Sequence, residues 1–414
     1  MGQVDAQAVA SRKPRLGPRP LMLHLGLAQA IWNGSRLAWP SWSNGLQNFP
    51  PALRSEEEAL RLELARRESD PENLASALDR QIRKRQTELL DGITAYRRHA
   101  YRRNLDDPPV LWSEGSARLL DYGGDGPPVL LVPSLINRGY ILDLSDSCSL
   151  ARWLAEQGFR VFLMDWGAPG EIERRFSLTD YIAGYLESAL DAVRQETGAR
   201  PLLLGYCMGG LLALALAQRR QNDLSALALL ATPWNFHATP GQAALGRAAL
   251  ASWGGVMDIL GELPVDVLQS LFALVDPMAT ARKFRHFAHL DPESAQARSF
   301  VALEDWLNDG VPLAAPVARE CLGGWYAQNS AHEGQWRLAG RPVRPDAVDL
   351  PSLAIIPSED RIVPPGSALA LAEALPDCTI HRPKAGHIGM VASRGARTRV
   401  WEPLRDWMRG KAVS

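Results

Sequence analysis

Three features of the sequence predict an α/β fold: a mostly parallel sheet with helices on both faces. From about residue 115 onward, short continuous apolar runs alternate with longer amphipathic stretches. The turn Gly205-Tyr206-Cys207-Met208-Gly209 lies between one such run and an apolar helical stretch. An acid and then a histidine each follow a late apolar run. Continuous apolar strands are buried on both faces, and strands that alternate with helices build βαβ units.

The expected strands are Val129–Val132, Val161–Met164, Leu202–Gly205, Ala226–Leu230, Leu353–Ile356 and Thr379–His381. The expected helices between and after them are Leu150–Glu156, Leu178–Glu196, Met208–Arg219, Ser367–Leu375 and Arg397–Arg409. Between Trp234 and Ala347 the alternation stops and the pattern is mostly helical. An insertion at that point of a sheet is a natural lid over strand ends.

Ahead of the sheet, residues 1–20 read as a flexible arm. An apolar stretch with Trp32, Trp39 and Trp42 follows, broken at Asn44-Gly45 and Pro50-Pro51. A helix is expected from Ser55, with Glu56, Glu57 and Glu58 in its first turn and Leu60, Leu62 and Leu64 after them. Asp70-Pro71 ends it, and a second helix is expected from Pro71 to Arg98. The chain thus divides into an arm (1–20), a helical N-terminal region (21–112), a catalytic core (113–235 and 348–414) and a cap or lid insertion (236–347).

The chain has 414 residues, 46% hydrophobic and 22% charged, enough to bury a sizeable core. Its formal net charge of −1 leaves no basic field to hold nucleic acid. The four cysteines, Cys148, Cys207, Cys321 and Cys378, are far apart and show neither zinc spacing nor a disulfide framework. No metal and no cofactor are expected, and the cysteine usage suits a cytoplasmic protein with one special thiol. No secretory signal is evident. The apolar stretch from Leu21 to Ile31, about eleven residues with His24 inside it, is too short to span a bilayer.

The Gly205–Gly209 turn fits a nucleophile elbow with cysteine at its tip. Small residues on either side of the tip allow close approach of strand and helix, and the helix N-terminus favours a thiolate. An elbow of this kind predicts an acid and then a histidine, each after a late strand. Asp360 and His387 occupy those places, and the order is that of an α/β-hydrolase fold. His387 is the expected proton acceptor for Cys207, and Asp360 orients the imidazole. Glu359 is the rival acid and His381 the rival base. His237, His286, His289 and His332 are assigned to ordinary polar contacts. The oxyanion hole needs two backbone donors. Met208 is expected to supply one and Leu135, in the loop Pro133–Asn137, the other, with Ile136 the alternative.

A cysteine nucleophile forms a thioester. Acyl exchange between two thiols is nearly balanced in free energy, and the thioester can then pass its acyl group downhill to an alcohol or to water. An acyl-CoA donor therefore suits Cys207.

At these residues the chain resembles the polyhydroxyalkanoate (PHA) synthases. The similar segments run in order from about residue 115 to 410. They are Val132–Asn137 continuing to Tyr140–Leu144, Asp165-Trp166-Gly167, Leu178–Ile182 and Gly205–Gly210. Then come Leu274–Pro277, Glu304–Gly310, Asp360–Pro365 and Gly386-His387-Ile388-Gly389-Met390. The resemblance implies a Cys207–Asp360–His387 triad that polymerises (R)-3-hydroxyacyl-CoA with release of CoA. It implies that His387 also deprotonates the substrate 3-hydroxyl. It further implies contact with a polymer granule, and either a homodimer or a partner subunit. Leu135 stands where many longer synthases carry Trp, which implies a different acyl pocket. The alternatives on the same residues are a Cys-dependent hydrolase (thioesterase, depolymerase or dienelactone-hydrolase type) and a non-catalytic granule-binding protein.

Weaker signals remain. The cluster Tyr96–Arg103 reads as a solvated or bridging helix end, with CoA phosphates as the rival assignment. The Trp-bearing stretch 21–45 reads as packing, with an apolar surface contact as the rival. Asp165-Trp166 reads as a structural turn.

Overall fold

The computed structural model describes residues 14–43, 51–66 and 71–411. Residues 1–13 of the expected arm, the Asn44-Gly45 break and Asp70 lie outside the described residues. The chain separates into two compact units: one takes the chain up to Tyr101 with Gln269–Val301, the other Arg102–Leu268 with Ala302–Ser414.

The first unit is helical. Its N-terminal helices are α1 (Leu21–Ser43), α2 (Arg54–Arg66) and α3 (Pro71–Arg98). α1 and α3 bury Ala28, Trp32, Ile82, Leu89, Ile93 and Tyr96 in a core shared with Phe284 and Phe287 of the helix Ala279–Phe287. Gly92 sets the spacing there: a Cβ on it would lie 2.0 Å from the Phe284 carbonyl oxygen. Arg285 clasps Glu88 through Nε at 2.9 Å and Nη2 at 2.7 Å. The Trp-bearing stretch forms α1, where Trp32 and Trp42 are buried.

The second unit is built on an eight-stranded sheet: β1 (Val110–Glu114), β2 (Ala117–Asp121), β3 (Pro128–Val132), β4 (Arg160–Asp165), β5 (Leu202–Tyr206), β6 (Ala226–Leu230), β7 (Ser352–Ile355) and β8 (Cys378–His381). The spatial order is β1-β2-β4-β3-β5-β6-β7-β8, and only β2 runs against its neighbours. The six expected strands all form, within a residue or two of their expected ends. They form because β3, β5 and β6 are apolar throughout and buried at every position, as strands covered on both faces must be. The hairpin β1–β2 lies outside the expected set. Its strands mix Ser113, Glu114, Arg118 and Asp121 with apolar residues, and β1 is the largely exposed edge, so no continuous run marks it.

The crossovers are α4 (Leu150–Glu156), a π-helical segment Asp180–Leu186 running into α5 (Glu187–Thr197), and α6 (Met208–Arg220). α6 is buried from Met208 to Ala217, which explains its all-round apolar sequence. After β6 come α7 (Gln242–Leu260) and further helices. Segment 236–347, expected as one insertion, is divided between the units, because Gln269–Val301 packs with the N-terminal helices. The sheet unit begins at Arg102, so it takes residues 102–112 from the expected N-terminal region. Among the described residues no helix is long and apolar enough to cross a membrane.

Candidate active site

The elbow is made by the end of β5 and the start of α6. Cys207 joins them at φ 56°, ψ −126°, a backbone state that costs about 1–3 kcal/mol for a non-glycine residue. The strain is held by Cys207 N–H donating to the Leu230 carbonyl at 2.8 Å and by Gly210 N–H donating to the Cys207 carbonyl at 2.9 Å. Close packing forces small residues here. A Cβ on Gly205 would stand 2.4 Å from Gly210 Cα, and one on Gly209 would stand 2.1 Å from the Val132 carbonyl oxygen.

His387 and Asp360 come from the loops after β8 and β7. Both are buried, and His387 Nδ1–H donates to Asp360 Oδ2 at 2.6 Å. The second carboxylate oxygen, Oδ1, accepts the amides of Ile362 and Val363 at 2.8 Å each. The carboxylate is therefore satisfied on both sides, as a buried charge must be. Burial alone lowers the His387 pKa. The charge of Cys207 and hydrogen bonds to Asp360 and Cys207 outweigh it and raise the pKa to about 10. His387 thus meets Asp360 directly at 2.6 Å, and the charge of Cys207 acts on its imidazole.

The rivals lie elsewhere. Glu359 is exposed, with Lys384 3.9 Å away. His381 Nε2–H donates to the Arg399 carbonyl at 2.7 Å, and His237 Nε2–H to that of Tyr326 at 2.9 Å. His286 pairs with Gln296, and His289 lies 3.4 Å from Glu88. His332 is exposed. All four cysteines are free. Burial pushes the Cys148 and Cys378 thiols up to about 11 and holds Cys321 well above its ordinary value.

Met208 is the first residue of α6, where a backbone amide has no intrahelical partner. In the Pro133–Asn137 loop the Ile136 amide donates to Ser134 Oγ at 3.0 Å, so that donor is already engaged. Leu135 is buried in the same core cluster as Met208. Trp166 holds the loop: its indole N–H donates to the Pro133 carbonyl at 3.0 Å. The Asp165-Trp166 turn therefore has a structural job at the rim of the site.

Two neighbours of these residues carry no distinguishing signal in the sequence. Tyr206, hidden as the last apolar position of β5, packs its ring on the His387 imidazole with centroids 5.4 Å apart. Tyr326 belongs to an aromatic cluster with Phe236 (centroids 4.9 Å apart). Burial and then the charges of Cys207 and Cys321 push the Tyr326 phenol well above its ordinary value, so it lies within electrostatic reach of Cys207. Nothing in the spacing of residues 320–327 signals this.

The basic cluster 96–103 is split. In the first unit Tyr96 is buried against Phe284, and His99 Nε2–H donates to the Pro292 carbonyl at 2.9 Å. In the second unit Arg103 binds Asp143 at 2.8 Å. Among the described residues no group of His, Cys, Asp and Glu is arranged to hold a metal ion.

Residues 127–391 match the family described as "alpha/beta hydrolase fold". Among curated proteins, the poly(3-hydroxyalkanoate) polymerase subunit PhaC of Haloferax mediterranei is 32% identical, over 72% of this chain and 63% of that protein. The subunit of the same name from Haloarcula marismortui is 29% identical, over 72% of this chain and 66% of that protein. The one from Synechocystis sp. is 30% identical, over 68% of this chain and 77% of that protein. The chain therefore spans just under two thirds of the two haloarchaeal relatives. Among solved structures, a thermophilic esterase from Thermogutta terrifontis aligns at 18% identity and TM-score 0.46, over 74% of this chain and 98% of that one.

Proposed function

Since the chain belongs to the poly(3-hydroxyalkanoate) polymerase family, within the α/β-hydrolase fold, we propose that it polymerises (R)-3-hydroxyacyl-CoA through an acyl thioester on Cys207. The observation that carries this reading is the Cys207–His387–Asp360 arrangement, in a chain 30–32% identical to named polymerase subunits. CoA thioester is the substrate, and the reading needs no cofactor.

The chemistry proceeds in two acyl transfers. Cys207 sulfur attacks the thioester carbonyl of the donor. The developing oxyanion is met by the Met208 and Leu135 amides, and the departing CoA sulfur takes the proton from the His387 imidazolium. The charge of Cys207 heads the causes that keep His387 protonated to about 10. Acylation removes that charge. Burial, which opposes the imidazolium, then favours the neutral ring just when a base is needed. His387 next takes the proton of the incoming 3-hydroxyl, whose oxygen attacks the Cys207 thioester. An ester bond forms, and the thiol is regenerated. The thioester-to-ester step runs downhill, which is the advantage of sulfur over a serine oxygen at this position.

The reading puts the protein in the cytoplasm at the surface of its own polymer. Its relatives are named subunits, so a partner subunit belongs to the proposal. The test is incubation of the pure protein with 3-hydroxybutyryl-CoA, alone and with co-expressed proteins from its own source. The expected result is CoA release with chloroform-soluble polyester. Free 3-hydroxybutyrate in its place would assign a hydrolase, and no CoA release under any of these conditions would overturn the proposal.

A further inference from the structure

Tyr206 directly precedes the nucleophile in sequence, so its backbone is bonded to that of Cys207. Its side chain, 4% exposed, reaches the other arm of the site. The phenol O–H donates to the main-chain carbonyl of His387 at 3.2 Å. The ring lies at 30° to the imidazole of His387, with centroids 5.4 Å apart. Burial first, then the charges of Cys207 and Asp360, hold the phenol well above its ordinary value, so it keeps the proton it donates.

We propose that Tyr206 is a positioning residue that fixes His387 relative to Cys207, through its hydroxyl on the His387 backbone and its ring on the imidazole face. The reasoning is geometric. Asp360 meets His387 at Nδ1, one edge of the ring, and does not contact its face. The hydroxyl tether fixes the backbone from which the ring hangs, and the ring contact limits rocking out of plane. Because Tyr206 is covalently joined to Cys207, both restraints refer His387 to the elbow itself. The π-face also favours an imidazolium over a neutral ring. Tyr206 thereby supports the charged state that Cys207 and Asp360 impose, without touching substrate.

This inference rests on Cys207 and His387 working as a pair, but not on which acyl acceptor is used. It is tested with readouts that do not depend on polymer: the rate of Cys207 alkylation by iodoacetamide as a function of pH, and the NMR titration of the His387 ring. Tyr206→Phe keeps the ring and loses the tether; Tyr206→Leu loses both. Tyr206→Leu is expected to lower the pH at which His387 loses its proton by about one unit, with Tyr206→Phe in between. Alkylation profiles are expected to shift in the same order. With 3-hydroxybutyryl-CoA, Tyr206→Phe should lower kcat about three- to tenfold at unchanged KM. An unshifted His387 titration in a folded Tyr206→Leu protein would overturn the proposal. If that variant does not fold, wild-type kcat and an unshifted alkylation profile in Tyr206→Phe would overturn it. Absence of any turnover in the wild type, with the titration shifts still present, would count against the polymerase reading alone.

Discussion

His387 Nδ1 stands 2.6 Å from Asp360 Oδ2, and the other oxygen of that carboxylate takes two backbone amides from the turn that follows it. The acid is thus fixed by its own loop before it meets the histidine. Asp360→Asn keeps the shape but cannot stabilise the imidazolium or select its tautomer. CoA release is expected to fall by about 10³- to 10⁴-fold, the scale known for the acid of a Ser-His-Asp triad. Glu359→Gln, at an exposed position, should stay within about twofold of wild type. Equal losses in the two variants would contradict the assignment.

The pH dependence of stability follows from the sign of the His387 shift. Its pKa is raised from the ordinary 6.5 to about 10, so the folded state binds this proton more tightly than the unfolded chain. That contribution is complete below pH 6.5 and declines as the pH rises through 10. Urea unfolding of the wild type between pH 6 and 10 should show this fall. His387→Gln should flatten that part of the curve, and an identical slope in both proteins would refute it.

Cys207 is half-buried at the elbow, whereas burial keeps the thiols of Cys148, Cys321 and Cys378 protonated at neutral pH. At pH 7 iodoacetamide is expected to label Cys207 first and to abolish CoA release in step. Peptide mass mapping checks the site. Cys207→Ala should have no measurable CoA release while retaining the wild-type fold.

Trp166 holds the Pro133 carbonyl at the base of the loop assigned to the oxyanion donor. Trp166→Phe removes that one hydrogen bond, at a stability cost of about 1 kcal/mol. Loosening a donor loop should cost more in rate than in binding, so kcat is expected to fall about tenfold with KM nearly unchanged. Steady-state kinetics beside a thermal melt separate the two effects.

Asp143 is fully buried and shared by Arg103, Arg152 and the Tyr122 hydroxyl, at 2.8, 2.8 and 3.1 Å. Asp143→Ala strands two guanidinium groups and is expected to destabilise the protein by about 3–5 kcal/mol. Denaturant unfolding measures this directly. A loss below about 1 kcal/mol would show that solvent readily replaces the carboxylate.

Much of the fold, and the residues of the candidate site, were legible along the chain, for a physical reason. A strand covered on both faces must be apolar throughout, so β3, β5 and β6 announce themselves in their residues. A sharp strand-to-helix turn needs glycine where backbones meet, so Gly205 and Gly209 frame Cys207. The order of acid and histidine after late strands belongs to the topology and is equally visible in one dimension. The hairpin β1–β2 was not legible, because an exposed edge strand has no need of a continuous apolar run.

Other features depend on which loops meet, and only the tertiary structure decided them. Asp360 and Glu359 are adjacent carboxylates with the same chemistry. The turn's own amides hold one inward against His387, and the other points to solvent. Ser134 occupies the Ile136 amide, a local contact that spacing does not reveal. Segment 269–301 looks like the rest of the insertion in sequence, yet it buries Phe284 and Phe287 with the N-terminal helices, because Gly92 lets a backbone approach there. Tyr206 reads as one more apolar strand residue, and its contact with His387 exists only once residues 181 positions apart are brought together. Local chemistry and periodicity are written along the chain; the choice among equivalent side chains is made by packing across it.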